Sequence, residues 1–174
     1  AYNVVTVFGG AGFLGRSIVN TLARQGALVR VACRRPDEAL RCKPMGDVGQ
    51  VAPVAANIRD DASVAAAVDG ADAVINLVGI LYESGRQSFD AVHRDGAGRI
   101  AQAAASAGVT QFVHVSAIGA DPEAASHYAR SKGEGEAAVK AAFDNAVILR
   151  PSILFGPDDD FFNRFAALAR ISPV

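Results

Sequence analysis

Tyr128 and Lys132 stand one helical turn apart and carry side chains suited to moving a proton. A phenol titrates near ~10 in water and is a poor base at neutral pH. A nearby ammonium favours the phenolate, which can then exchange a proton with an alcohol or carbonyl. The four-residue spacing puts both on one helix face, although such spacings also arise by chance on any helix. Ser116, closing an apolar run, is the neighbouring candidate for a hydrogen-bond donor to a carbonyl. His114, inside that run, is expected to point to the core or a helix face, and His127 to be exposed.

A second group of residues suits phosphate binding. Val4 to Phe8 is a β-branched and aromatic run that reads as a buried strand. Gly9, Gly12 and Gly15 follow at a spacing of three, and Leu14, Ile18 and Leu22 then recur at helical spacing. A helix start presents unpaired N–H groups and a positive dipole end, where a phosphate can sit. Gly9 suits the tight turn, Gly12 the close approach of backbone to pyrophosphate, and Gly15 close helix–strand packing.

The end of the second strand bears on which nucleotide is bound. Folds of this kind place an acid there for the ribose hydroxyls. Here the sequence is Cys33-Arg34-Arg35, with no acid before Asp37. Guanidinium groups bind phosphate through paired, charge-assisted hydrogen bonds, so the residues favour NADP(H) over NAD(H). The alternative is that either arginine is a solvated surface charge. Asn57 and Ile58, past the third strand, are placed for adenine, and Gly79, past the fourth, for the second ribose.

The elements that must position these groups alternate along the chain. Strands are expected over 27–33, 50–55, 71–78, 111–115 and 146–149, the last stopped by Pro151. Helices are expected over 61–68, capped by Asp60 or Asp61, over 88–107, closed by Gly108, and over 124–143. The stretch between strands two and three reads as loop or short helix. Phe161, Phe165 and Leu168 mark a last amphipathic helix, with Asp158, Asp159 and Asp160 as solvated acids at its N-terminus rather than a metal site. The pattern implies one doubly wound parallel sheet of Rossmann type over residues 1–174.

Composition excludes several classes. Lys and Arg number 17 against 18 Asp and Glu, with no basic patch, which argues against nucleic acid as a partner. No apolar run approaches the ~18 residues of a membrane span. Peripheral attachment to a membrane complex stays open. Cys33 and Cys42 lack metal-ligand company and read as reduced thiols of a cytosol-facing protein.

Gly9-x-x-Gly12-x-x-Gly15, Val113-His114-Val115-Ser116, Tyr128-x-x-x-Lys132 and Leu149-Arg150-Pro151-x-x-x-x-Gly156-Pro157 together resemble the extended short-chain dehydrogenase/reductase superfamily. That resemblance implies Tyr128, Lys132 and Ser116 as the catalytic group. It also implies a cofactor site of Gly9, Gly12, Phe13, Leu14, Gly15, Arg34, Arg35, Asn57, Ile58, Val78, Gly79, Lys132 and Pro151. Two positions depart from the pattern. Ala117 stands where a catalytic Ser or Thr generally falls, and Val92-His93 replaces a usual Val-Asn.

Both departures fit a narrower group. Val74-Ile75-Asn76-Leu77-Val78-Gly79, His114 to Asp121, Tyr128 to Lys132 and Phe161 to Phe165 are similar to the NADPH-binding alpha-subcomplex accessory subunits of complex I, NADH:ubiquinone oxidoreductase. The likeness implies a structural or regulatory protein that holds NADPH beside complex I subunits. It would lie at the inner face of the cytoplasmic membrane or, in a eukaryote, on the matrix side of the mitochondrial inner membrane. The wider resemblance implies an epimerase, dehydratase or reductase instead, and the damaged serine position also suits a sensor of the NADP pool. Relatives carry a C-terminal substrate-side domain that is expected to be absent from this chain.

Overall fold

A computed structural model describes residues 3–156, 159 and 162–171. Its centre is a parallel sheet of β1 (Val4–Phe8), β2 (Leu28–Cys33), β3 (Val51–Ala55), β4 (Ala73–Asn76), β5 (Gln111–Val115) and β6 (Val147–Leu149). Their order across the sheet is β3-β2-β1-β4-β5-β6. All pairings are parallel, with Val5 beside both Val29 and Ala73. β1 is buried on both faces, as its apolar run requires. The one polar side chain in it, Thr6, donates to the Ala67 carbonyl at 2.8 Å.

Helices cover both faces. Val7, Val29 and Val31 of the sheet pack with Val19 of α1 (Phe13–Arg24) on the face covered by α1, the short α2 (Pro36–Ala39) and a 3-10 segment (Leu40–Met45). On the other face Phe8 and Phe112 of the sheet pack with Val64 of α3 (Asp61–Val68), Ile100 of α4 (Asp95–Ser106) and Val139 of α5 (His127–Ala142). α6 (Phe162–Ile171) follows β6. Asp60 caps α3 by accepting from the Ala62 N–H at 3.1 Å, as expected.

Three expectations change. The fourth strand is short because Asn76 Oδ1 takes the Val78 N–H at 3.0 Å and turns the chain out of the sheet. The helix expected over 88–107 begins as a π-helical turn, Asp90–Arg94, before α4. α5 packs closely against this turn: a Cβ on Gly135 would come within 2.1 Å of the His93 carbonyl oxygen, so the bulge and that glycine fit one another. Asp159 is buried rather than solvated, its Oδ2 accepting from the Gly156 N–H at 3.0 Å. Asp158 and Asp160 lie outside the described residues, as does Phe161, while Phe165 and Leu168 are exposed.

Candidate functional site

The connection after β1 runs outward to β2 and β3, and the chain then returns to place β4 on the other side of β1. A crevice opens at the carboxyl ends of the strands where the order reverses. It is a cleft of about 350 Å³. Gly9, Gly12, Arg34, Arg35, Asn57, Ile58, Val78 and Gly79 all line it.

The glycine turn divides its labour. Gly9 has φ of +78°, which a side chain would strain. A Cβ on Gly15 would fall 2.3 Å from the Gly9 carbonyl oxygen, so Gly15 lets α1 start against the turn. A Cβ on Gly12 would meet only that same oxygen, at 3.3 Å, and would project into the cleft. Gly12 is also the N-cap of α1, with no side-chain cap and no acid in the first turn. The N–H groups at Phe13, Leu14 and Gly15 therefore open an anion-binding helix start. The Phe13 ring reaches across to Gly156.

The other end of the cleft is basic. Arg34, Arg35, Arg41 and Arg59 line it, with Glu38 the single acid among the described lining residues. Arg35 is paired with Glu38. Arg34 Nη1 donates to Gln87 Oε1 at 2.7 Å. Glu38, Arg41, Arg59 and Gln87 were not read as site residues from the sequence. The acid-at-strand-end rule looks at the strand terminus, whereas Glu38 reaches the cleft from α2, one turn later. Ile58 is buried because α4 has Gly96 beneath it, where a Cβ would strike the isoleucine at 2.6 Å.

Tyr128, Lys132 and Ser116 sit beside the cleft and do not line it. Lys132 is buried and its Nζ donates to the Val115 carbonyl at 3.4 Å. It meets the cleft at Gly79, where a Cβ would stand 3.3 Å from Nζ. Burial pushes Lys132 down to about 8, against the opposing pull of Glu136. Burial pushes the Tyr128 phenol up. Its ring packs edge-on against Phe89 and His93, with centroids at 5.6 and 5.4 Å. Pro151 follows β6 and its carbonyl accepts from the Ile118 N–H at 2.9 Å.

Buried polar groups support this corner. His93 Nε2 accepts from the Ile80 N–H at 3.1 Å, which leaves the proton on Nδ1 for Ser131 Oγ at 2.9 Å. Ser131 Oγ in turn donates to the Tyr128 carbonyl at 2.8 Å. Burial and the Lys132 charge push His93 down to about 4, and the same influences push His114 to about 4. His114 Nδ1 meets Asn76 Nδ2 at 3.1 Å. Burial alone would raise Glu136, but two hydrogen bonds from Arg150, at 2.8 and 2.6 Å, hold it below the usual range. The Ser116 hydroxyl faces that carboxylate without closing a hydrogen bond to it.

A family model described as NAD(P)H-binding matches residues 9–163. The chain is 39% identical over 171 residues to "NADH dehydrogenase [ubiquinone] 1 alpha subcomplex subunit 9, mitochondrial" of Dictyostelium discoideum, covering 98% of this chain and 48% of that protein. It is 35% identical over 174 residues to the "Ceramide reductase" of Caulobacter vibrioides, covering 100% of this chain and 53% of that protein. The chain thus spans about half the length of the curated relatives it matches. A putative NAD-dependent epimerase/dehydratase from Bacillus halodurans shares the fold, with TM-score 0.77 and 23% identity over 91% of this chain and 74% of that one. No helix among the described residues is long and apolar enough to cross a membrane.

Proposed function

The chain belongs to the NAD(P)H-binding family, and from that premise we propose that it holds NADP(H) as part of an accessory subunit of a respiratory NADH:ubiquinone oxidoreductase. The observation that carries the cofactor choice is the basic end of the cleft, where four arginines face a single acid. The residues present fit such a dinucleotide. The pyrophosphate takes the N–H groups of Phe13 to Gly15, and a 2′-phosphate takes Arg34 and Arg35. Asn57 and Ile58 face the adenine, while Val78, Gly79, Lys132 and Pro151 belong to the nicotinamide side. The dinucleotide would supply hydride chemistry; the chain's own residues bind and orient it.

The assembly choice rests on the similarity to the Dictyostelium subunit over nearly the whole of this chain. A second reading, an oxidoreductase acting on a carbonyl substrate, is favoured by Tyr128 and Lys132 on one face of α5 and by the reductase from Caulobacter. In that reading Tyr128 is the acid/base, Lys132 its electrostatic partner and Ser116 a carbonyl donor.

Co-purification of the full-length protein from gently solubilised membranes separates the two. Co-migration with quinone oxidoreductase subunits, with stoichiometric NADP(H) released on denaturation, is the expected result. A protein without those partners, whose nucleotide exchanges freely and whose turnover is lost in Tyr128→Phe, would establish the second reading.

A further inference from the structure

Arg34, the residue assigned above to the 2′-phosphate, already has a partner across the cleft. That partner is Gln87, at the end of a tight turn spanning Ser84 to Gln87. Ser84 and Gln87 exchange both backbone hydrogen bonds at 3.0 Å, and Gly85 takes φ of +55° between them. The turn is a strap tied to the sheet at two points. Arg34, beyond β2, donates to the Gln87 side chain at 2.7 Å, and Arg59, beyond β3, donates to the Arg86 carbonyl at 2.9 Å. Gln87, Arg34 and Arg59 all line the cleft, so both ties cross its adenosine end.

We infer that the Ser84–Gln87 strap reads the 2′ substituent of the bound dinucleotide: a 2′-phosphate takes Arg34 from Gln87 and unlatches the strap from the β2 end, whereas a 2′-hydroxyl leaves it latched. This rests on the assignment of Arg34 to the 2′-phosphate. The physical ground is a competition for one edge of the guanidinium, the Nη1 edge that Gln87 holds. A neutral carboxamide offers a single acceptor, while a phosphate dianion offers several and adds charge. The Arg34–Gln87 bond is exposed, although Gln87 itself is half-buried, so water screens it and it yields to the stronger acceptor. A ribose hydroxyl is neutral and has no such advantage over the amide. Arg59 is unaffected in either case, so the strap pivots on its second tie instead of detaching. Gln87 is thereby a determinant of cofactor specificity, and the strap carries the identity of the nucleotide to the surface.

The test measures amide exchange over residues 84–87 with NADPH and with NADH, each at saturation, and the affinity of both for the wild-type chain, Arg34→Ala and Gln87→Glu. The strap is expected to exchange at least about tenfold faster with NADPH than with NADH. Gln87→Glu, whose carboxylate holds Arg34 in an ion pair, is expected to weaken NADPH about tenfold and NADH by less than about twofold. Selective loss of NADPH in Arg34→Ala, with equal strap exchange under the two nucleotides, would overturn the strap inference and leave the Arg34 assignment standing. Equal loss of NADPH and NADH in Arg34→Ala would overturn the assignment, and the strap with it.

Discussion

His93 Nδ1 donates to Ser131 Oγ at 2.9 Å, joining the π-helical turn before α4 to the first turns of α5. Because His93 Nε2 holds the Ile80 N–H, one neutral imidazole connects the backbone beside the cleft with the backbone that carries Tyr128. Phe89 stacks on the same imidazole, with centroids at 5.3 Å. His93 therefore performs a structural task at this corner.

Replacing His93 by Leu leaves the part-buried Ile80 N–H without its acceptor and takes a donor from the Ser131 hydroxyl, which keeps its bond to the Tyr128 carbonyl. The expected loss is roughly 1–3 kcal/mol, the cost of an unmade buried hydrogen bond. His93→Asn, which keeps one donor and one acceptor, is expected to lose less. Urea unfolding measures both, and the near-ultraviolet circular dichroism of Tyr128 should weaken in the leucine variant alone. Equal stability of the two variants would deny the hydrogen-bond chain its role.

Acid should unfold this protein through its buried histidines. His93 and His114 titrate at about 4 in the fold against 6.5 ordinarily, so between those pH values the unfolded chain binds more protons. Stability then falls as pH drops through that window, by up to about 3 kcal/mol per histidine once pH is below 4. Unfolding free energies at several pH values check this. His93→Asn should flatten the slope, and an unchanged slope would assign the acid sensitivity elsewhere.

Lys132 adds an alkaline limb of the same sign. Its ammonium is carried at a cost below pH 8, because burial lowers it to about 8 from 10.5. The unfolded chain again binds more protons between those values, so the lysine's contribution to stability rises with pH from 8 to 10.5. Lys132→Met should remove this dependence and stabilise the free protein at neutral pH, while weakening nucleotide. Nucleotide affinity unchanged in Lys132→Met would detach Lys132 from the cofactor.

The glycines of the turn should separate by substitution. Gly15→Ala places a Cβ 2.3 Å from the Gly9 oxygen and should cost about 3 kcal/mol or prevent folding. Gly12→Val brings its Cβ against a single atom, the Gly9 carbonyl oxygen at 3.3 Å, which a small shift relieves, and should keep a native circular dichroism spectrum while losing nucleotide affinity by about a hundredfold. Retained binding in the folded valine variant would mean that no phosphate approaches Gly12.

At the basic end, Arg34→Ala with Arg35→Ala should weaken NADPH at least tenfold more than NADH, roughly the worth of a charge-assisted phosphate contact. Calorimetric titration of the two nucleotides decides it, and equal losses would assign the arginines to the surface.

Much of this molecule is legible in its sequence, because the signals involved are local. A β-branched run, glycines at a spacing of three and apolar residues at helical spacing each depend on neighbours within a few residues. They sufficed for the parallel α/β class and the glycine turn at Gly9 to Gly15, whereas Arg34, Arg35, Asn57 and Ile58, which line the cleft, were placed by analogy with folds of this kind. What only the tertiary structure decided depends on elements that meet across the chain. The reversal of strand order between β1 and β4 locates the cleft, and long-range pairing alone sets that order. Glu38, Arg59 and Gln87 enter the cleft from three separate connections, so no spacing rule groups them. The π-helical turn packs against α5 at Gly135, and a helical periodicity read along one segment cannot register a neighbour 42 residues later. Asp159, read as solvated among its acidic neighbours, is buried because Gly156 turns back to meet it. Periodicity reports which face of an element is apolar; the packing of other elements determines which polar groups that face brings together.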